Sequence, residues 1–219
     1  MELFNEISQK KIFITAQQTI NEVLQVFDTL LFSSVPIVKN KKLVGMVSKE
    51  DLSLIEDGEQ KIADLEYLYN FYYAKQKDTL LEVISSFVSN NTDVLPIIDD
   101  ENNYLGFLNL HDTLDSFADT DFLKVEGNTL LLQKNTSEYS FSEICQITES
   151  QNNRILGCFV LQSNEEKTTI VIKVKSRNIN ELIQSFRRYS YNILSTSSED
   201  YLVEHLKKHS EYFIKYLNI

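Results

Sequence analysis

The sequence VPIVKNKKLVGMVSKED at residues 35–51 returns, in altered form, as LPIIDDENNYLGFLNLHD at residues 95–112. Each stretch has an apolar strand, a polar turn and a second apolar strand, which is the pattern of a β-hairpin. The second turn is one residue longer, and turns are where insertions cost least. Further pairs of residues recur at the same displacement of about 60 positions: Thr19 and Thr79, Gly45 and Gly106, Asp51 and Asp112.

Each copy is predicted to fold in the order β-α-β-β-α. A short strand precedes a helix whose apolar residues recur every three or four positions, so that one face of the helix is buried. The hairpin follows, and then a short helix. Neither copy can cover its own sheet, so we expect the two to pair sheet against sheet. The predicted landmarks are strands at 11–15 and 71–75, helix N-caps at Thr19 and Thr79, and second helices beginning near Ser48 and Asn109.

The pattern Val35-Pro36-Ile37-Val38, a hairpin, and then Gly45-x-x-Ser48-x-x-Asp51 resembles that of a cystathionine-β-synthase-type (CBS) domain. The second copy resembles its partner, although Asn109 stands where the motif has a hydroxyl residue. The resemblance covers residues 5–118, and two such domains form a Bateman module. It implies that AMP, ATP or another adenosyl ligand binds in the cleft between the copies.

Each motif residue has a binding interpretation and a structural one. Gly45 permits a close backbone approach or a positive φ. Ser48 can donate to a phosphate or cap a helix, and Asp51 can accept from ribose hydroxyls or simply favour the helix dipole. The candidate ligand-binding residues are Ala16, Val35, Pro36, Ser48 and Asp51 in the first copy, and Leu95, Pro96, Asn109 and Asp112 in the second. An aromatic-rich stretch at 67–73 is interpreted as packing, although one ring could stack on a purine.

The repeat stops near residue 120, and the rest predicts a different domain. Residues 122–135 suggest a strand pair or one long bent strand, followed by a helix, a hairpin, a second helix and a last strand. This β-α-β-β-α-β order is a ferredoxin-like plan, and its end resembles an ACT domain. The loop before the first helix lacks the Pro and Gly of amino-acid-binding ACT domains, which favours dimerisation instead. A helix with an apolar stripe is expected at 199–219.

The composition limits the kinds of partner that we expect the chain to bind and the compartment in which we expect it. The net charge of −11 disfavours binding to nucleic acid, because such binding depends on Lys and Arg. No apolar stretch approaches the length of a membrane span, and the N-terminus lacks the apolar segment of a signal peptide. The cysteines are interpreted as buried free thiols, which fits a cytoplasmic location. No nucleophile triad, phosphate loop or metal-ligand cluster is evident, so no catalytic or metal site is expected.

The sequence therefore predicts an α+β protein with CBS domains at 1–60 and 61–120, an ACT-like domain at 121–198 and a terminal helix at 199–219. This arrangement resembles that of bacterial acetoin-utilisation-type proteins. We expect a non-catalytic, cytoplasmic regulator that binds an adenosyl ligand, requires no cofactor and forms a homodimer. The alternative is a structural homodimerisation or partner-docking protein without a small-molecule ligand.

Overall fold

The computed structural model describes residues 12–30 and 32–196, and the chain divides into two compact units between Asp119 and Thr120. In the described ranges, no helix is long and apolar enough to cross a membrane. The elements of the first unit are α1 (Ile20–Thr29), β1 (Ser34–Lys39), β2 (Lys42–Ser48), α2 (Lys49–Ser53), a 3-10 segment (Ile62–Leu68), β3 (Ala74–Lys75), α3 (Leu80–Ser89), β4 (Val94–Ile98), β5 (Tyr104–Asn109) and α4 (Leu110–Ala118).

The predicted helix starts are confirmed in both copies. Thr19 and Thr79 are N-caps, and each forms a capping box with the glutamate three residues later. Ser48 and Asn109 cap the second helices, α2 and α4, by accepting from a backbone N–H. Because a cap satisfies N–H groups that the helix cannot, these four residues fix where each helix begins.

The hairpins also form as predicted, and they differ at the turn. Lys39 pairs with Lys42, and Asn40 and Lys41 between them both have positive φ, as a two-residue turn of this kind requires. The longer second turn is closed instead by the Asp99 carboxylate, which accepts from the Asn103 amide at 2.8 Å.

The short strands predicted at 11–15 and 71–75 are mostly wrong. In the described residues they reduce to one parallel bridge between Ile14 and Ile37 and to the two-residue strand β3, which runs parallel to β4. Residue 11 lies outside the described residues. Tyr72 and Tyr73 instead pack as side chains against the core that the two copies share.

The two copies meet through that shared core. It combines residues of the first hairpin with residues of the second, and backbone contacts join the same regions, including a bond from the Tyr104 amide to the Lys41 carbonyl at 2.8 Å. Each copy also keeps a core of its own beneath its helices. The buried residues of the shared core are Val38, Leu43, Met46, Val94, Ile98, Tyr104 and Phe107.

The second unit has the predicted β-α-β-β-α-β order. Its four-stranded sheet is antiparallel with the order β7-β8-β6-β9, which confirms the ferredoxin-like plan. Its core lies between the sheet and α6 and α7. The predicted helix at 199–219 lies outside the described residues. The elements are α5 (Asp121–Lys124), β6 (Asn128–Asn135), α6 (Phe141–Glu149), β7 (Arg154–Ser163), β8 (Lys167–Lys175), α7 (Ile179–Arg188) and β9 (Asn192–Thr196).

The expectation of a strand pair or bent strand at 122–135 is wrong in its first part. Residues 121–124 form one helical turn, and a single strand follows from Asn128. The Phe122 ring packs over Gly157, where a Cβ atom would lie 2.3 Å from the ring, and edge-on to Phe159. The Phe122 side chain therefore covers β7 and does not belong to the alternating pattern of a strand.

Candidate functional site

A cleft of about 640 Å³ opens in the first unit between the two copies. The first copy contributes the start of β1 and the junction of β2 with α2, through Phe32, Ser33, Ser34, Ser48, Lys49, Glu50 and Ser53. The second copy contributes Asn70, Tyr72, Asn90, Asn91 and Thr92. A molecule bound here would contact both copies at once.

Ser48 brings the first predicted motif to this cleft. Its hydroxyl donates to the Asp51 carboxylate at 2.6 Å and accepts from the Asp51 amide at 3.0 Å. The structural role considered for this pair, a helix cap, is therefore present. Both side chains are half-buried, so the pair is also within reach of a molecule in the cleft.

Asn109 and Asp112 repeat this arrangement in the second copy. The Asn109 amide group donates to the Asp112 carboxylate, and its oxygen accepts from the Asp112 backbone N–H at 2.8 Å. Asp112 is exposed, whereas Asp51 is half-buried. Neither residue is among those that line the cleft.

The apolar candidates lie elsewhere. Val35 and Leu95 are completely buried, and each points into the core of its own copy. Pro36 and Pro96 are buried within β1 and β4, and Ala16 is half-buried against the first copy's core. Of the nine candidate binding residues, Ser48 is the one that the described cleft includes. The other assignments stay predictions.

A triangle of hydroxyl groups in the cleft was not predicted from the sequence. Ser34 Oγ lies 2.9 Å from the Tyr72 hydroxyl and 3.2 Å from Thr92 Oγ1, and the last two are 3.0 Å apart. Ser34 and Thr92 are both buried, so these hydroxyls satisfy one another in place of water. Tyr72 belongs to the aromatic stretch that the sequence singled out, but Ser34 and Thr92 lie outside any motif.

Charged side chains are few on the lining. Lys49 forms a salt bridge of 3.1 Å with Asp28, and Glu50 is exposed beside it on α2. The backbone N–H of Ser33, another lining residue, donates to the Asp93 carboxylate of the second copy at 3.0 Å. Gly45 packs closely against the segment that leads to Asn70, since an added Cβ atom would lie only 3.1 Å from that of Tyr69. The close approach considered for this glycine is therefore present.

Comparison with known families agrees with this repeat. Residues 5–55 and 64–119 each match the family model of the CBS domain, and together they make up about half of the chain. This part of the chain is a tandem pair of CBS domains. The cleft described above thus lies between the two members of a CBS pair.

Several known proteins are similar to this half. The inosine-5'-monophosphate dehydrogenase of Methanocaldococcus jannaschii is 33% identical over 104 residues, which are 47% of this chain and 21% of the enzyme. The chain thus spans about a fifth of the length of that relative, and the match is confined to its CBS region.

Two solved structures are similar to part of this chain. A CBS domain pair/ACT domain protein from Thermotoga maritima is 19% identical, with a TM-score of 0.48, over 53% of this chain and 96% of that one. CBSX2 in complex with AMP is 16% identical, with a TM-score of 0.43, over 50% of this chain and 89% of that one.

Proposed function

We propose that this chain is a non-catalytic regulatory protein whose CBS pair binds an adenosyl ligand, such as AMP or ATP, in the cleft at Ser48. The observation that carries the proposal is that Ser48 of the first motif and residues of the second copy line one cavity of about 640 Å³. That volume is within the range of small-molecule sites. CBSX2, one of the structures with a similar fold, is in complex with AMP.

The geometry suggests how binding would be communicated. Ser48 and Asp51 now satisfy each other, and a ligand's phosphate and ribose hydroxyls can replace part of that bond. On the opposite wall, Tyr72 and Thr92 belong to the second copy. Because one molecule would contact both walls, its binding favours one relative position of the copies, which is the basis of a ligand-dependent switch.

Calorimetry and thermal shift on the full chain test the proposal, with AMP, ATP, NAD and S-adenosylmethionine as probes. Ser48→Ala should weaken binding at least several-fold. The matched control is Ser140→Ala, because Ser140 is also a serine N-cap but lies in the second unit. The proposal fails if no probe binds at millimolar concentration, or if both variants reduce binding equally.

A second candidate, homodimerisation, is favoured by an observation on α3. Leu81 and Val88 lie two turns apart on one face of this helix, and their side chains are 69% and 74% exposed. The equivalent positions on α1 are Asn21 and Asp28. Since the first copy adopts the same fold with polar residues there, folding does not require the apolar ones.

We assign this face to a second copy of the chain. An acidic chain meets its own copy most easily where the surface is uncharged, and the face of α3 between Leu81 and Val88 carries serine rather than acid. Replacing both residues by those of the first copy, as Leu81→Asn with Val88→Asp, should convert a dimer to a monomer in light scattering. Apart from the stabilisation that dimerisation itself supplies, the change should cost under about 0.5 kcal/mol in the single chain, where both sites are exposed. A wild-type monomer, or an unaltered dimer in the variant, would contradict the assignment.

The two free cysteines in the described chain are consistent with a reducing compartment. We therefore also propose a cytoplasmic location. Fractionation of cells that produce the chain, with a membrane marker and a cytoplasmic enzyme as references, would test it.

A further inference from the structure

The charges around the cleft point to a particular class of adenosyl ligand. Among the described residues that line it, Lys49 is the one cation, and its ammonium group already pairs with Asp28 at 3.1 Å. The adjacent lining residue, Glu50, is an exposed acid. The lining itself therefore offers no net positive charge to a phosphate chain.

Further carboxylates stand directly behind the lining. Asp51 is one hydrogen bond from the Ser48 hydroxyl, at 2.6 Å, and Asp93 is one hydrogen bond from the Ser33 amide, at 3.0 Å. With Glu50 and Asp28, four carboxylates thus lie on the described lining or in contact with its residues, against one ammonium group, that of Lys49. The whole chain adds to this potential, because its net charge is −11.

The remaining lining groups suit an uncharged ligand surface. The hydroxyls of Ser34, Tyr72 and Thr92 are satisfied by one another, so they need no anion to compensate them. The side-chain amides of Asn70, Asn90 and Asn91 also line the cleft, and such amides can pair with the ring nitrogens and amino group of a base or the hydroxyls of a sugar, although the Asn90 nitrogen already donates to the Ser86 carbonyl at 2.8 Å.

We propose, on the basis of the adenosyl-binding function argued above, that the cleft selects a nucleoside or nucleoside monophosphate and rejects the corresponding di- and triphosphates. ATP carries about two more negative charges than AMP, and each added phosphate places charge near Glu50, Asp51 or Asp93. In sites that retain polyphosphates, several cations or a metal ion neutralise this charge.

Calorimetric titration of the full chain with adenosine, AMP, ADP and ATP, in EDTA so that no divalent cation bridges the carboxylates, tests the selection. AMP should bind at least tenfold more tightly than ATP. Salt gives a second, independent readout. Salt screens the repulsion between the ATP phosphates and the carboxylates, so ATP affinity should rise between about 20 mM and about 300 mM NaCl. If attraction by lysine dominated instead, ATP affinity would fall over the same range.

A charge variant locates the effect. Glu50→Gln should raise ATP affinity several-fold more than it changes adenosine affinity, while Glu101→Gln, which replaces an exposed acid on the β4–β5 turn, should change neither. ATP binding as tightly as AMP, with affinity that falls as salt rises, would overturn the selection but keep the adenosyl site. No binding of any of the four probes would overturn both.

Discussion

The backbone amide of Ser33 donates to both oxygens of the Asp93 carboxylate, at 3.0 and 3.1 Å, although the two residues occupy equivalent positions in the two copies. The backbone carbonyl groups of the two residues have the same role. Each accepts from the backbone N–H of the first residue of its own copy's second helix, α2 or α4, at 2.9 Å. Only the side chains differ. If the second copy also carried serine at this position, the bond would be lost, so the difference between the copies joins the two CBS domains beside the cleft.

Asp93→Ala should therefore loosen the pair. Hydrogen bonds to a charged group contribute about 1.5–3 kcal/mol to stability. Because this bond is partly exposed, we expect its loss to cost about 1 kcal/mol. Hydrogen exchange measured on peptides of the first unit reports the stability of that unit alone. Amide protection in these peptides should decrease in the variant. The control is Asp100→Ala, which removes only an exposed ion pair with Lys77. Equal protection in both variants would show that the Ser33–Asp93 bond contributes nothing.

The repeat made much of this fold predictable. A constant displacement, together with Thr19 and Thr79 before apolar periodic segments, was sufficient to locate both first helices and both hairpins. These features are local, because caps and turns depend on residues three or four positions apart. The order of helices and strands in the second unit was predictable for the same reason, because it depends on local patterns.

The cleft was less predictable because it is not local. Ser34, Tyr72 and Thr92 are brought together from three segments separated by 20 to 58 residues. None carries a periodic or capping pattern that marks it in the sequence. Conversely, Val35 and Leu95 sit beside motif residues in the sequence, but strand alternation turns their side chains into the core. The sequence thus indicated the motif more reliably than its lining.

The role of the segment Tyr69–Asn70, which borders the cleft, can be tested by substitutions at Gly45. The segment Tyr69–Asn70 pairs with β2 through two backbone bonds at Met46, of 2.7 and 2.9 Å, and an added Cβ atom at Gly45 would press on Tyr69. Gly45→Ala should cost about 1–2 kcal/mol, and Gly45→Val more, because the segment must move further. Hydrogen exchange at residues 69–71 should quicken in the same order. Because Asn70 lines the cleft, adenosyl binding should weaken in parallel, and unchanged exchange in the valine variant would contradict the argument.

Cys158 should be unreactive in the folded chain. Burial, together with neighbouring Cys145, raises the pKa of the Cys158 thiol to about 11. Since the thiolate is the nucleophile, alkylation at pH 8 should be about 100-fold slower than in the urea-unfolded chain. Mass spectrometry of iodoacetamide-treated Cys145→Ser protein isolates this thiol. Labelling of the folded protein at the unfolded rate would show that the thiol ionises normally.

Lys134, Glu143 and Tyr191 should make the second unit sensitive to acid. Lys134 donates to Glu143 at 2.7 Å and lies over the Tyr191 ring at 4.4 Å. Burial alone would raise the pKa of the Glu143 carboxyl, but hydrogen bonds from Lys134 and Tyr191 and the charge of Lys134 outweigh it and hold the pKa below its ordinary value. Burial and the bond to Glu143 raise the pKa of Tyr191, so its hydroxyl keeps the proton that it donates.

A carboxyl whose pKa is lower in the folded than in the unfolded chain stabilises the fold above the unfolded pKa, about 4.3. That stabilisation is lost as the pH falls through the folded pKa. Urea unfolding followed by circular dichroism should therefore show the second unit weakening below about pH 4.3. In Glu143→Gln this pH dependence should shrink, and stability at pH 7 should fall by about 2 kcal/mol because Lys134 loses its partner.

Two further variants separate the cluster from general acid effects. Glu138→Gln removes an exposed carboxyl of the same unit and should leave the pH dependence unchanged. Lys134→Met combined with Glu143→Gln removes both charges, so it should recover part of the stability lost at pH 7, since no buried ammonium is left unpaired. If the double variant is less stable than Glu143→Gln, Lys134 stabilises the unit through the Tyr191 ring rather than through the carboxylate.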